Sequence, residues 1–247
     1  MALSISYACK SGRSKQRRAA RNLYALLAEL PGPQQILLDS LGTVFRFHVS
    51  DRESGSASYW LRTIELDLKE FAQFQYEQRR RPHRNQRWAL TTLKEEVIHY
   101  LDDYLAFTKA RVWKRAARSE LQAPNTARQQ LCTAQREYDS SDTWIKLSPE
   151  EYAADNTLLD KIAGFIAGAQ EPVTELLVDL FLARDYLIHK KAPVNEQMRV
   201  AFPHTYTLAL EFEQAIERHA ARVAGKRRMS EKLHDLQQAW RALEQKK

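Results

Sequence analysis

Apolar residues recur at helical spacing along most of this chain. Leu23, Leu26, Leu27 and Leu30 make one stripe, which predicts a helix over 13–30, stopped by Pro31-Gly32-Pro33. Gln34 to Leu41 adds a short helix. The period returns from Tyr59 to about Gln78 through Trp60, Ile64, Leu68, Phe71 and Phe74. A long helix is then expected from about Asn85 to Arg118, with Leu90, Leu93, Val97, Leu101, Tyr104, Leu105 and Val112 on its apolar side. Ser148-Pro149-Glu150-Glu151 has the form of a helix start: a Ser cap, Pro at the first position, and Glu three residues after the cap. That helix should reach about Gly168. Three more are expected: Glu171 to about Lys191, Pro203 to about Val223, and Ser230 to the C-terminus.

Strand-like alternation is confined to one place. From Thr43 to Val49, Phe45, Phe47 and Val49 alternate with Arg46 and His48, and Ile5 to Ala8 is the candidate partner. Asp51 to Ser58 is polar and Ser-rich and reads as a loop, and 119–147 reads as a polar connector or insertion. The expected architecture is therefore all-α: a multi-helix bundle forming a single domain over 1–247, with a minor two-stranded element near the N-terminus.

Composition sharpens this picture. Only seven glycines occur, few for a fold of many tight turns. Cys9 and Cys132 are the only cysteines and neither has metal-ligand spacing, which argues against a disulfide framework or a zinc finger. The N-terminus lacks the charge order of a secretory signal, and no window approaches the roughly 18 apolar residues of a membrane span. The expected compartment is the cytoplasm, with no membrane partner.

The formal net charge of +7 points to polyanionic partners. Four basic clusters carry it. Lys10, Arg13, Lys15, Arg17, Arg18 and Arg21 precede any acid in the first helix. Arg79, Arg80, Arg81, His83, Arg84 and Arg87 end beside Trp88; Arg111, Lys114, Arg115 and Arg118 surround Trp113; Lys226, Arg227 and Arg228 make the fourth. Cations beside aromatics suit phosphate contact with base stacking. The plainer reading of any one cluster is a solvated helix face. Taken together they make nucleic acid, RNA before DNA, the expected partner.

One stretch combines charge with an apolar helix. In Val173 to Lys191 the stripe is Val173, Leu176, Leu177, Leu180, Leu187 and Ile188, and Arg184 falls at its centre. A cation there needs a partner, a pocket or an interface, because desolvating an ion costs several kcal/mol. Asp185 and His189 are four apart and share a face, where a carboxylate orients an imidazole for acid–base work.

Arg184-Asp185-Tyr186-Leu187-Ile188-His189 resembles the R-[N/D/H]-x-x-x-H signature of the HEPN-domain ribonucleases, which are small helical bundles. The resemblance implies a metal-independent endoribonuclease of a defence or toxin type. The Arg and His of two protomers would meet across a homodimer groove. It further implies His189 in acid–base chemistry on the ribose 2′-hydroxyl, Arg184 neutralising charge on the phosphorane, and Asp185 orienting the site. No metal or cofactor is required, and a cognate antitoxin or a larger complex is the expected protein partner. Arg184 and His189 point about 140° apart on an ideal helix. Their convergence uses the long Arg side chain, a distorted turn or the second protomer.

Two other readings compete. A non-catalytic nucleic-acid-binding accessory subunit needs the basic clusters and not the motif. A di-iron helical-bundle oxidase would draw on Glu96-x-x-His99 and Asp185-x-x-x-His189, with Glu65, Glu151 or Glu175 completing it. His99, however, falls nearly opposite the apolar stripe of its helix, away from the expected bundle core. His219, beside Phe212 and Ile216, reads as a core histidine. No phosphate-binding P-loop, dinucleotide fingerprint or nucleophile elbow occurs.

Overall fold

A computed structural model describes residues 4–8, 11–49, 55–76, 84–122, 172–187 and 198–244. Its elements are β1 (Ser4–Tyr7), α1 (Arg13–Leu27), α2 (Gly32–Ser40), β2 (Val44–His48), β3 (Gly55–Ser58) and β4 (Thr63–Asp67), followed by α3 (Leu68–Ala72), α4 (Arg84–Leu105), α5 (Arg111–Gln122), α6 (Pro172–Leu187) and α7 (Pro203–Glu244). The strands form one sheet in the order β1-β2-β4-β3. β1 and β4 both run parallel to β2, and β3 is antiparallel to β4. The expectation of an all-α bundle with a minor two-stranded element is thereby corrected: a four-stranded mixed sheet makes the fold mixed α/β.

Each early element follows from local chemistry. Ala19, Leu23, Leu26 and Leu27 bury one face of α1. Pro33 sits in the first turn of α2, where its missing N–H matters least. α2 closes on Gly42 at φ 66°, with Gly42 N–H donating to Asp39 O at 3.2 Å and Thr43 N–H to Leu38 O at 3.1 Å. This is the left-handed helix end that glycine makes easy. β2 then alternates, with Phe45 and Phe47 buried, while Arg46 on the other face pairs with Glu65 of β4 at 3.5 Å.

The core lies on one side of the sheet. Phe47 stacks on Tyr7 and meets Phe71 edge-on, with ring centroids 5.8 and 5.6 Å apart. Burying the Phe47 and Phe71 rings stabilises the fold by roughly 1.5–3 kcal/mol each. Asn22 of α1 is buried beside it. Its Nδ2 donates to Phe71 O at 2.7 Å and Phe74 O at 2.8 Å, and its Oδ1 accepts from Tyr76 N–H at 3.2 Å. One amide thus satisfies the chain where it leaves α3.

Several further expectations change. The helix expected over 59–78 is a turn, β4 and α3, while β3 lies within the expected loop 51–58. Ile64, Leu66 and Leu68 fit a period of two as well as a helix, and pairing with β2 decides. The helix expected over 85–118 is two helices. Ala106 has φ 52°, and Asp102 Oδ1 and Oδ2 accept from Thr108 N–H at 2.8 Å and Thr108 Oγ1–H at 2.5 Å, which holds the turn into α5. Val112, expected on the apolar stripe, is consequently 66% exposed, and Trp113 is buried instead. The helices expected from Pro203 and Ser230 are one continuous α7. The expected connector over 119–147 overlaps α5 as far as Gln122; its remainder and the helix expected after Ser148 lie outside the described residues.

Candidate functional site

A cavity of about 1130 Å³ opens between β3, the polar side of α4, the start of α5 and the first turn of α6. Two contacts hold its walls. Trp113, 1% exposed, donates its Nε1–H to Val173 O at 2.8 Å and so ties α6 to α5. Gly55 lets β3 press onto α4, since a Cβ there would stand 2.7 Å from Cγ and Oε1 of Glu96.

The sides formed by α4 and α6 are acidic. Glu95, Glu96, His99, Asp102 and Asp103 all come from α4, and Glu175 faces them from α6. Glu95 and His99 are one turn apart and share a face. One ligating atom from each of Glu95, His99 and Glu175 lies within 4.8 Å of the others, and His99 Nε2 stands 3.6 Å from Glu175 Oε1. All three are half-buried. These are the residues that could hold a metal.

The cations that line the cavity, Lys109, Lys114 and Arg118, come from the turn before α5 and from α5 itself. Lys109 Nζ donates to Asp103 Oδ1, and this hydrogen bond raises the ammonium pKa, so the lysine stays charged. Asp103 also accepts from Tyr59 N–H at 3.3 Å. Burial raises the Asp102 carboxyl pKa, against the opposing pull of the Thr108 hydrogen bonds and of His99 and Lys109.

The residues singled out in the sequence fall in several places. Arg184 and Asp185 belong to the last turn of α6, and their side chains lie outside the described ones; His189 lies outside the described residues. Arg17, Arg18 and Arg21 are exposed on α1, with Arg18 Nη1 donating to Ala72 O at 3.5 Å. Arg79, Arg80 and Arg81 lie outside the described residues, as does the side chain of Arg84, the first residue of α4. Arg87 is 8% exposed, so it is an interior side chain rather than a surface phosphate contact. Lys114 and Arg115 are exposed on α5, while Trp113 beside them is core and not a stacking platform. Arg227 of the fourth cluster pairs with Asp39 at 3.3 Å.

His99 falls opposite the apolar stripe of α4, a position expected to keep it from serving as a ligand that faces the bundle core. That side of α4 is instead covered by α6, and His99 meets Glu175 there. Glu95, passed over in the sequence, completes the group; its one signal was the Glu95-x-x-x-His99 spacing on a long helix. His219, expected in the core, is half-buried with its ring 5.8 Å edge-on from Tyr104. Among the described residues, no helix is long and apolar enough to cross a membrane. Comparison with protein-family models, curated proteins and solved structures finds no match to this chain.

Proposed function

We propose that this protein binds nucleic acid, RNA in preference to DNA, with the outer face of α5 against the phosphate backbone. The observation that carries the reading is the distribution of charge on α5. Arg111, Lys114, Arg115 and Arg118 are all exposed. The single acid of the helix, Glu120, is buried and accepts from His204 N–H, Thr205 N–H and Thr205 Oγ1–H at the start of α7. The helix therefore turns its cations outward and its carboxylate inward. α1 supports the reading with Arg13, Lys15, Arg17, Arg18 and Arg21 exposed and no acid within the helix.

Fluorescence anisotropy with single-stranded RNA and DNA oligonucleotides, across a salt series, tests this. Replacing Arg111, Lys114, Arg115 and Arg118 together by Ala should weaken binding. It should also flatten the salt dependence by about 0.7 in log–log slope for each phosphate that the variant no longer neutralises. Unchanged affinity and slope would remove α5 from the interface.

The preference for RNA, and a catalytic step beyond binding, rest on the resemblance of Arg184, Asp185 and His189 to the HEPN ribonucleases. In this finer proposal a homodimer cleaves RNA without metal. His189→Ala should abolish cleavage of total RNA in EDTA and leave oligonucleotide binding intact; cleavage that persists in the variant sinks the catalytic reading alone.

A further inference from the structure

We infer that Glu95, His99 and Glu175 form a binding site for one first-row divalent cation, of the manganese, iron or zinc class, where α4 and α6 line the cavity. Metal–ligand bonds of about 2.0–2.2 Å place two ligands of one ion roughly 3–4 Å apart. The three ligating atoms already lie within 4.8 Å of one another, so small side-chain rotations close the site. The 3.6 Å between His99 Nε2 and Glu175 Oε1 is longer than a hydrogen bond of about 2.7–3.2 Å but suits two ligands on one ion.

Charge around the cavity points the same way. Among the described residues, five carboxyl groups line it, beside the cations Lys109, Lys114 and Arg118. Carboxylates gathered in one place favour a cation, and the mixture of imidazole nitrogen with carboxylate oxygen suits first-row metals better than calcium or magnesium. The ligands also sit on fixed supports. Trp113 holds the first turn of α6, and the Asp102–Thr108 contacts hold the end of α4. Three protein ligands leave coordination positions free for an anionic ligand, and Lys114 and Arg118 line the same cavity.

The plainer alternative is an ion pair between His99 and Glu175, in which Glu95 has no share. Titration calorimetry of the full chain, stripped with chelator and titrated with Mn²⁺ and with Zn²⁺, separates the two. The expected result is one equivalent per chain, with binding weakened at least about tenfold in each of Glu95→Gln, His99→Gln and Glu175→Gln. Circular dichroism establishes that each variant is folded; should His99→Gln fail to fold, the two near-isosteric Glu→Gln variants decide. Absence of saturable binding overturns the site, and so does affinity unchanged by Glu95→Gln or by Glu175→Gln. The readout is metal alone, so failure of nucleic-acid binding by α5 leaves it standing.

Discussion

Glutamates from neighbouring helices meet other elements in two different ways here. Glu120 of α5 reaches the first turn of α7, and its two oxygens accept from two backbone N–H groups and one hydroxyl, at 2.6 to 3.1 Å. Those donors are neutral and belong to a helix start, whose N–H groups have no partners within their own helix and whose dipole favours an anion. At the cavity, Glu95 and Glu175 converge on an imidazole and share a wall with three further carboxyl groups. The first arrangement anchors one helix to another and reads as structure. The second gathers like charges at an open space, an arrangement that a bound cation stabilises. The difference shows that burial of a carboxylate says little until its neighbours are known.

The comparison can be broken at either end. The largest effect is expected from Glu120→Ala. It removes three hydrogen bonds from a residue 8% exposed and leaves the start of α7 without its acceptor. A loss of about 2–3 kcal/mol is expected in urea denaturation at neutral pH. A loss below about 0.5 kcal/mol would show that water replaces the carboxylate and that Glu120 is no anchor.

A smaller effect of opposite sign is expected at Asp102. Its carboxyl pKa is held above the ordinary value of 3.8, chiefly by burial. A raised folded-state pKa means that the stabilising contribution is fully present below 3.8 and is lost as pH rises through the raised value. At neutral pH the ionised group is therefore a net liability in spite of Thr108. Asp102→Asn keeps an acceptor for Thr108 N–H and removes the charge. It should be more stable than the wild type at pH 7, with the gain shrinking as pH approaches 3.8. Denaturation curves for both proteins across that range test the sign, and a variant less stable than the wild type at pH 7 would show that the Thr108 bonds outweigh burial.

Legibility differed from element to element. α1 and β2 could be read because their apolar residues follow one period, and Pro31 marks the stop of α1. β4 could not, because Ile64, Leu68 and Phe71 satisfy a helical spacing, and only the pairing of Ile64 with Phe45 and Leu66 with Phe47 excludes it. β3, Gly-Ser-Ala-Ser, has no apolar pattern; it is a strand because β4 lies beside it and Glu96 packs on its glycine. The break after Leu105 left no proline or glycine to mark it. It depends on Asp102 capturing Thr108.

Of the site, the basic residues on α5 were visible, and so were His99 and Glu175 as separate candidates; their meeting was not. Local spacing determined the apolar faces of α1 and α4, the one clear alternating strand and the cationic character of α1 and α5. The tertiary structure alone decided that a sheet of four strands exists, that Trp113 and Arg87 turn inward, and that α6 lies on the polar side of α4. The physical reason is that periodicity reports which side of an element avoids water. It carries no information about which distant segment will cover the other side, and that contact sets Glu175 beside Glu95 and His99.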